Sequence, residues 1–200
     1  MKSHTANLTK LIRKVGVLRS RDLAAYGIPR PYLNILESSG IIRKTGRGLY
    51  IAADAKHVTE AHTVAEAAKA VPGGIVCLLT ALRLHGLTTQ APFEVWMAID
   101  RKAWKPKLDH PPLHIVRFSG KALSEGTQRR KLEGVEVKLY SPAKTVADCF
   151  KYRNKIGLDV ALEALRDCLR QKKATMDELW RMAEVCRVTN VMRPYMEAMA

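Results

Sequence analysis

No run of about 18 apolar residues occurs anywhere in the chain, so no segment can cross a bilayer as a helix. The N-terminus, MKSHTANLTKLIRK, lacks the apolar stretch of a secretion signal, and a cytoplasmic protein is expected. Its four cysteines, Cys77, Cys149, Cys168 and Cys186, include no C-x-x-C pair and no Cys/His spacing suited to zinc. They read as reduced core thiols, and no metal or cofactor is expected. A phosphate-cradling G-x-x-x-x-G-K-[ST] loop is absent, as are a G-x-S-x-G elbow and an H-E-x-x-H helix. Acidic residues are also scarce, 19 against 34 Lys and Arg, giving a net charge of +15. Such an excess favours a polyanion through counterion release, although charge alone does not separate DNA from RNA or an acidic membrane. With 200 residues and 47% hydrophobic content, the chain can build one large or two small cores, and two are expected.

The most informative stretch is residues 19–51, RSRDLAAYGIPRPYLNILESSGIIRKTGRGLYI. Ser20 is placed to cap a helix running to Tyr26, Gly27 supplies a left-handed turn, and Pro31 suits a first helical turn that has no use for its N–H. A second helix then starts near Arg30 and runs to Ser39, where Gly40 stops it. Leu33 and Leu36 face inward, joining Leu23 and the Leu8, Leu11, Ile12, Val15 stripe of a preceding helix. Strands beginning at Ile41 and Leu49 flank the turn Thr45-Gly46-Arg47-Gly48. Helix, turn, helix and basic hairpin is the order of a winged helix-turn-helix. The charge is uneven in the same sense, because residues 1–53 hold ten Lys or Arg and two acidic residues, a net +8.

Arg30, Tyr32, Asn34 and Ser38 lie on or beside the helix face opposite Leu33 and Leu36, where they would meet the major groove. Arg pairs with guanine and Asn with adenine in bidentate fashion. Arg43, Lys44 and Arg47 at the wing, with Arg19 and Ser20 at the helix start, are expected to reach phosphates or a minor groove. Double-stranded DNA is the expected partner.

The remainder, residues 54–200, mixes strands and helices. Strands are expected at Ile75 to Leu78, Phe93 to Ile99, Leu113 to Phe118 and Val135 to Tyr140. Helices are expected near Thr63 to Val71, from a Thr80 cap to Gly86, from Ser141-Pro142 onward, and over Leu158 to Gln171 and Met176 to Arg187. Thr175 and Glu178 form a capping box for the last. The expected fold is α+β, with an N-terminal winged helix-turn-helix over residues 1–53 followed by a mixed α/β domain over residues 54–200.

CLLTALRLHGLTTQAPFEVWMAI, YSPAKTVADCFKYRNKIGLDVALEALRD and VMRPYMEAM resemble the conserved blocks of the AbiEi antitoxins of type IV abortive-infection toxin–antitoxin systems. The block from Ser141 to Gly157 is the most specific. The resemblance implies an N-terminal domain that binds inverted repeats in its own promoter and represses it. It also implies a C-terminal domain with antitoxin activity against a nucleotidyltransferase-like toxin, opposed functionally, with direct contact left open. Inverted repeats call for a protein that is cooperative or dimeric on DNA.

Lys144, Asp148, Lys151, Tyr152, Arg153 and Lys155 form the polar side of that block's helix, read either as a contact surface for DNA, RNA or a partner, or as a charged face with Asp148 pairing Lys144 or Lys151. The competing functional class is a nucleic-acid-processing enzyme, a nuclease with a winged-helix targeting domain. Asp100 beside the basic run from Lys102 to Lys107 is its best catalytic candidate. A second carboxylate is not at hand, since Glu94 is six residues back along the strand and Asp109 lies beyond lysines and prolines. His110 and His114 flank Pro111 and Pro112, which prevent a shared helical face. No catalytic residue is assigned. A purely structural interaction protein would leave the basic wing unexplained.

Overall fold

The computed structural model describes residues 2–46, 48–54, 60–106, 108 and 110–199, and they fall into two compact units. The first comprises Met1–Gly73, Pro106–Leu113 and Arg130–Val137, and the second Gly74–Lys105, His114–Arg129 and Lys138–Ala200. The chain is mixed α/β, with a helix-turn-helix region first and an α/β region after it.

The first unit opens with α1 (Lys2–Val15), β1 (Val17–Arg19), a 3-10 helix (Ser20–Tyr26), α2 (Pro31–Ser38), β2 (Ile42–Gly46) and β3 (Leu49–Ala52). Leu8, Ile12, Leu23, Leu33 and Leu36 are all buried in one cluster with Leu18, Ile28, Ile42 and Tyr50, as the apolar spacing requires. Between the 3-10 helix and α2, Gly27 adopts φ 63° and its N–H returns to Ala24 and Leu23. Only glycine enters this left-handed conformation without a steric cost, so the sharp turn depends on it. Pro31 occupies the first turn of α2, and Gly40 at φ 68° ends the chain's helical path.

Two details depart from the sequence reading. The first helix of the motif is 3-10, and Ser20 is inside it; Arg19 holds the cap position without a side-chain hydrogen bond. Ser20 instead donates its N–H to the Gly48 carbonyl at 2.8 Å, so its backbone ties the motif to the wing turn. β1 was not expected at all. It pairs antiparallel with β3 (Val17↔Ile51, Arg19↔Leu49), turning the two-stranded wing into a sheet of order β1-β3-β2. Its three residues are too few to show an alternation.

After α3 (Glu60–Ala70) come β4 (Ile75–Val76), α4 (Leu78–His85), β5 (Val95–Asp100), β6 (Leu113–Phe118), α5 (Lys121–Ser124), β7 (Thr127–Leu132) and β8 (Val135–Tyr140). Five strands form a sheet of order β6-β5-β4-β8-β7, with β4 antiparallel to β5 and parallel to β8. β7 escaped the sequence reading because its residues, TQRRKL, are charged and mostly exposed, so no apolar alternation marks them. Thr80 does not cap α4. It sits within the helix and accepts a hydrogen bond from the Trp96 N–H at 2.9 Å, joining α4 to β5.

The chain ends in α6 (Pro142–Lys151), α7 (Arg153–Ile156), α8 (Leu158–Arg170), α9 (Met176–Cys186) and α10 (Thr189–Glu197). Ser141 caps α6 by accepting from the Lys144 N–H, and the Thr175–Glu178 capping box opens α9 as its spacing predicts. α6 is the hub, packed by α4, α8, α9 and α10, and every residue from Ala143 to Phe150 is buried. Among the described residues no helix is long and apolar enough to cross a membrane.

Candidate DNA-binding site

α2 is held from behind. Leu33 and Leu36 sink into the core, and Tyr32 is half-buried with its ring centroid 5.1 Å from that of His4. Arg30, Asn34 and Ser38, spaced four residues apart, remain exposed on one face. That spacing puts a guanidinium and a carboxamide on the same side of a helix backed by a rigid core, as major-groove readout needs. Ser38 turns its hydroxyl to the Ile35 carbonyl at 3.0 Å, which leaves its oxygen as an acceptor.

The wing follows directly. Arg43 and Lys44 are exposed on β2 and stand opposite Ile51 and Tyr50 of β3, with a register shift between Lys44 and Gly46. Such an irregularity bends the strand and re-aims the side chains near it. Arg47 lies outside the described residues.

Arg19 and Ser20 lie at the start of the 3-10 helix that precedes α2. Arg19 is half-buried and its Nη1 donates to the Lys69 carbonyl at 2.5 Å, while burial and the neighbouring Arg21 lower its pKa from the ordinary value. Lys69 in turn pairs with Asp22 at 2.5 Å. These groups fasten α3 to the start of the motif. Arg19 and Ser20, both expected at the DNA, are half-buried and each is tied by one hydrogen bond inside the first unit, Arg19 through its side chain and Ser20 through its backbone N–H.

The second set of candidates is brought together only in part. Lys144 and Asp148, expected on the polar side of the helix, are both completely buried. Their i, i+4 spacing does pair them, with the ammonium 2.6 Å and 2.5 Å from the two carboxylate oxygens. The ammonium also lies 4.1 Å from the centroid of the Tyr140 ring and 4.8 Å from that of Phe118, and the Cys186 thiol donates to Asp148 at 3.2 Å. Burial pushes the Asp148 carboxyl up from its ordinary value and Lys144 pulls it back. A buried charge survives only with this degree of pairing, so the two form an internal strut and no contact surface.

The rest of that set reaches solvent to different degrees. Lys151 and Lys155 are exposed, Tyr152 and Arg153 half-buried. Lys151 Nζ bonds the Cys186 carbonyl at 2.8 Å, Arg153 donates to the Phe150 carbonyl at 3.0 Å, and the Tyr152 hydroxyl is pushed up to about 12 by burial.

The residues considered for catalysis are scattered into local roles. Asp100 accepts from the Lys102 N–H at 2.8 Å, and Glu94 pairs with His114 at 3.1 Å. His110 is exposed, and Asp109 and Lys107 lie outside the described residues. Among the described residues no three His, Cys, Asp or Glu side chains are grouped to hold a metal ion.

No curated protein matches the chain. Residues 8–53, from the second half of α1 to the end of the wing, match the family described as the AbiEi antitoxin transcriptional regulators.

Proposed function

We propose that this chain is a DNA-binding transcriptional repressor that regulates its own operon and serves as the antitoxin of a type IV abortive-infection system, opposing a nucleotidyltransferase-like toxin. One observation carries the reading. The residues matched to the AbiEi regulators fold into a helix-turn-helix whose outward face bears Arg30, Asn34 and Ser38, beside a wing bearing Arg43 and Lys44. Arg30 and Asn34 read base edges, and the wing cations hold the phosphate backbone. One such domain covers about half a turn of major groove, so inverted repeats recruit two copies. The protein acts in the cytoplasm, where its promoter is, and residues 54–200 carry the antitoxin role.

A gel shift with duplex taken from upstream of its own gene tests this. Specific binding, two chains per pair of repeats and a log–log salt slope of several units are expected. Equal affinity for promoter and scrambled duplex would overturn the repressor reading.

A further inference from the structure

The loop between β5 and β6 holds the most exposed large apolar side chain among the described residues: Trp104 is 95% accessible. A free tryptophan usually folds back onto the nearest apolar surface, because its ring carries a large hydrophobic area. This one stays in water at the end of a braced turn. The Arg117 guanidinium donates through Nη1 to the carbonyls of Arg101 and Ala103, both at 2.8 Å, and lies 3.4 Å from that of Asp100. Asp100 closes the turn by accepting from the N–H groups of Lys102 and Ala103, and the Arg101 N–H bonds back to Phe118 at 2.9 Å. Residues 100–103 are therefore tied to one another and to β6, and the Trp104 ring just beyond them faces water.

Around the ring the exposed side chains are cations. Arg101, Lys102 and Lys105 are all exposed, while Asp100 at the start of this turn spends a carboxylate oxygen on the Lys102 N–H. A protein interface buries an anchor tryptophan within a patch of apolar neighbours, and among residues 101–105 the ring is accompanied only by half-buried Ala103. A bilayer likewise demands more apolar area than one ring supplies. One π-face flanked by several positive charges matches an unpaired base on a phosphate backbone, since any base stacks and every phosphate attracts. Duplex bases are already stacked on one another and leave the ring no partner.

From this arrangement we propose that the Arg101–Lys105 loop binds single-stranded nucleic acid, Trp104 stacking on a base while Arg101, Lys102 and Lys105 hold the flanking phosphates. The site does not depend on the winged helix or on its DNA.

The test uses the full-length protein and a fluorescein-labelled oligo(dT) of about 15 nucleotides, near the upper site size of a single binding fold. Trp104→Ala should weaken binding about ten- to a hundredfold. Trp104→Phe should retain most of it, because a smaller ring still stacks. The emission lost on binding, taken as wild type minus Trp104→Ala, should report quenching of this ring alone. Trp104→Ala should leave the salt slope unchanged, and Arg101→Ala with Lys105→Ala should lower it by about 0.7 per phosphate released. Promoter duplex binding, left at wild-type strength in Trp104→Ala, shows that the variant is folded and separates this site from the repressor reading. Oligo(dT) affinity unaltered by Trp104→Ala would overturn the proposal. So would quenching of Trp104 by phosphatidylserine vesicles or polyglutamate but not by oligo(dT).

Discussion

Lys144 and Asp148 show how far a single pair of residues can be read from its spacing. Four positions apart on a helix, they were bound to meet, and they do. What the spacing hid was depth, because two charges on α6 mark an outer face only when one face of the helix meets solvent. α6 is enclosed by four other helices, so its polar side is as deep as its apolar one. Gly126 is the clue in hindsight: a Cβ there would stand 2.7 Å from Lys144 Cβ, so the lysine stem needs a residue without a side chain beside it. Removing one partner strands the other in an apolar interior. Lys144→Ala or Asp148→Ala should each cost about 3–5 kcal/mol in urea denaturation, whereas Lys144→Met with Asp148→Leu should fall within about 1–2 kcal/mol of wild type or exceed it. Equal losses in single and double variants would show that the pair is not the unit that matters.

Among elements, the helix-turn-helix was the most legible. Its punctuation is local: Gly27, Pro31 and Gly40 each impose a backbone conformation that needs no knowledge of the rest of the chain. β1 and β7 were illegible for the opposite reason, since one is three residues long and the other wears charges where a strand would show alternation. Pairing across the sheet decides both, and pairing is not written in either segment. The same contrast between local and distant signals divides the DNA-binding candidates. Arg30 and Asn34 project from a helix fixed by its own buried leucines, and Arg19, read from sequence proximity alone, is claimed by Lys69 fifty positions away. The helix and the wing should accordingly fail in different ways. Arg30→Ala and Asn34→Ala should each remove about 1–3 kcal/mol of discrimination between promoter and scrambled duplex. Arg43→Ala and Lys44→Ala should weaken both duplexes alike and reduce the salt slope by about one unit each. Fluorescence anisotropy titrations across a salt series measure all four variants, and loss of discrimination in the wing variants would reverse the assignment.

At the scale of the whole molecule, two proposed activities sit on a chain of two compact units, and they should come apart without cutting it. Fragments are a poor tool for the separation. α3 packs on β1 and β3, and Gly134 at φ 78° lies against the backbone of Lys14 and Val15, so the first unit draws on segments well beyond the wing. Point variants in the intact chain avoid that damage. Arg30→Ala with Asn34→Ala removes the base-reading groups from an exposed face and leaves Leu33 and Leu36 in the core, so the melting temperature should stay within a few degrees of wild type. Repression of a promoter reporter should be lost in this double variant. When the same protein is supplied from an unrelated promoter beside the toxin, growth should be rescued as well as by wild type. Lys151→Ala with Lys155→Ala should show the converse, since these are the exposed cations left on the α6–α7 segment once Lys144 and Asp148 are assigned to the interior. Repression should persist there and rescue should weaken, with circular dichroism unchanged. A folded Arg30→Ala, Asn34→Ala protein that fails in both assays would make toxin neutralisation depend on DNA binding, and the division of roles between residues 1–53 and 54–200 would be wrong.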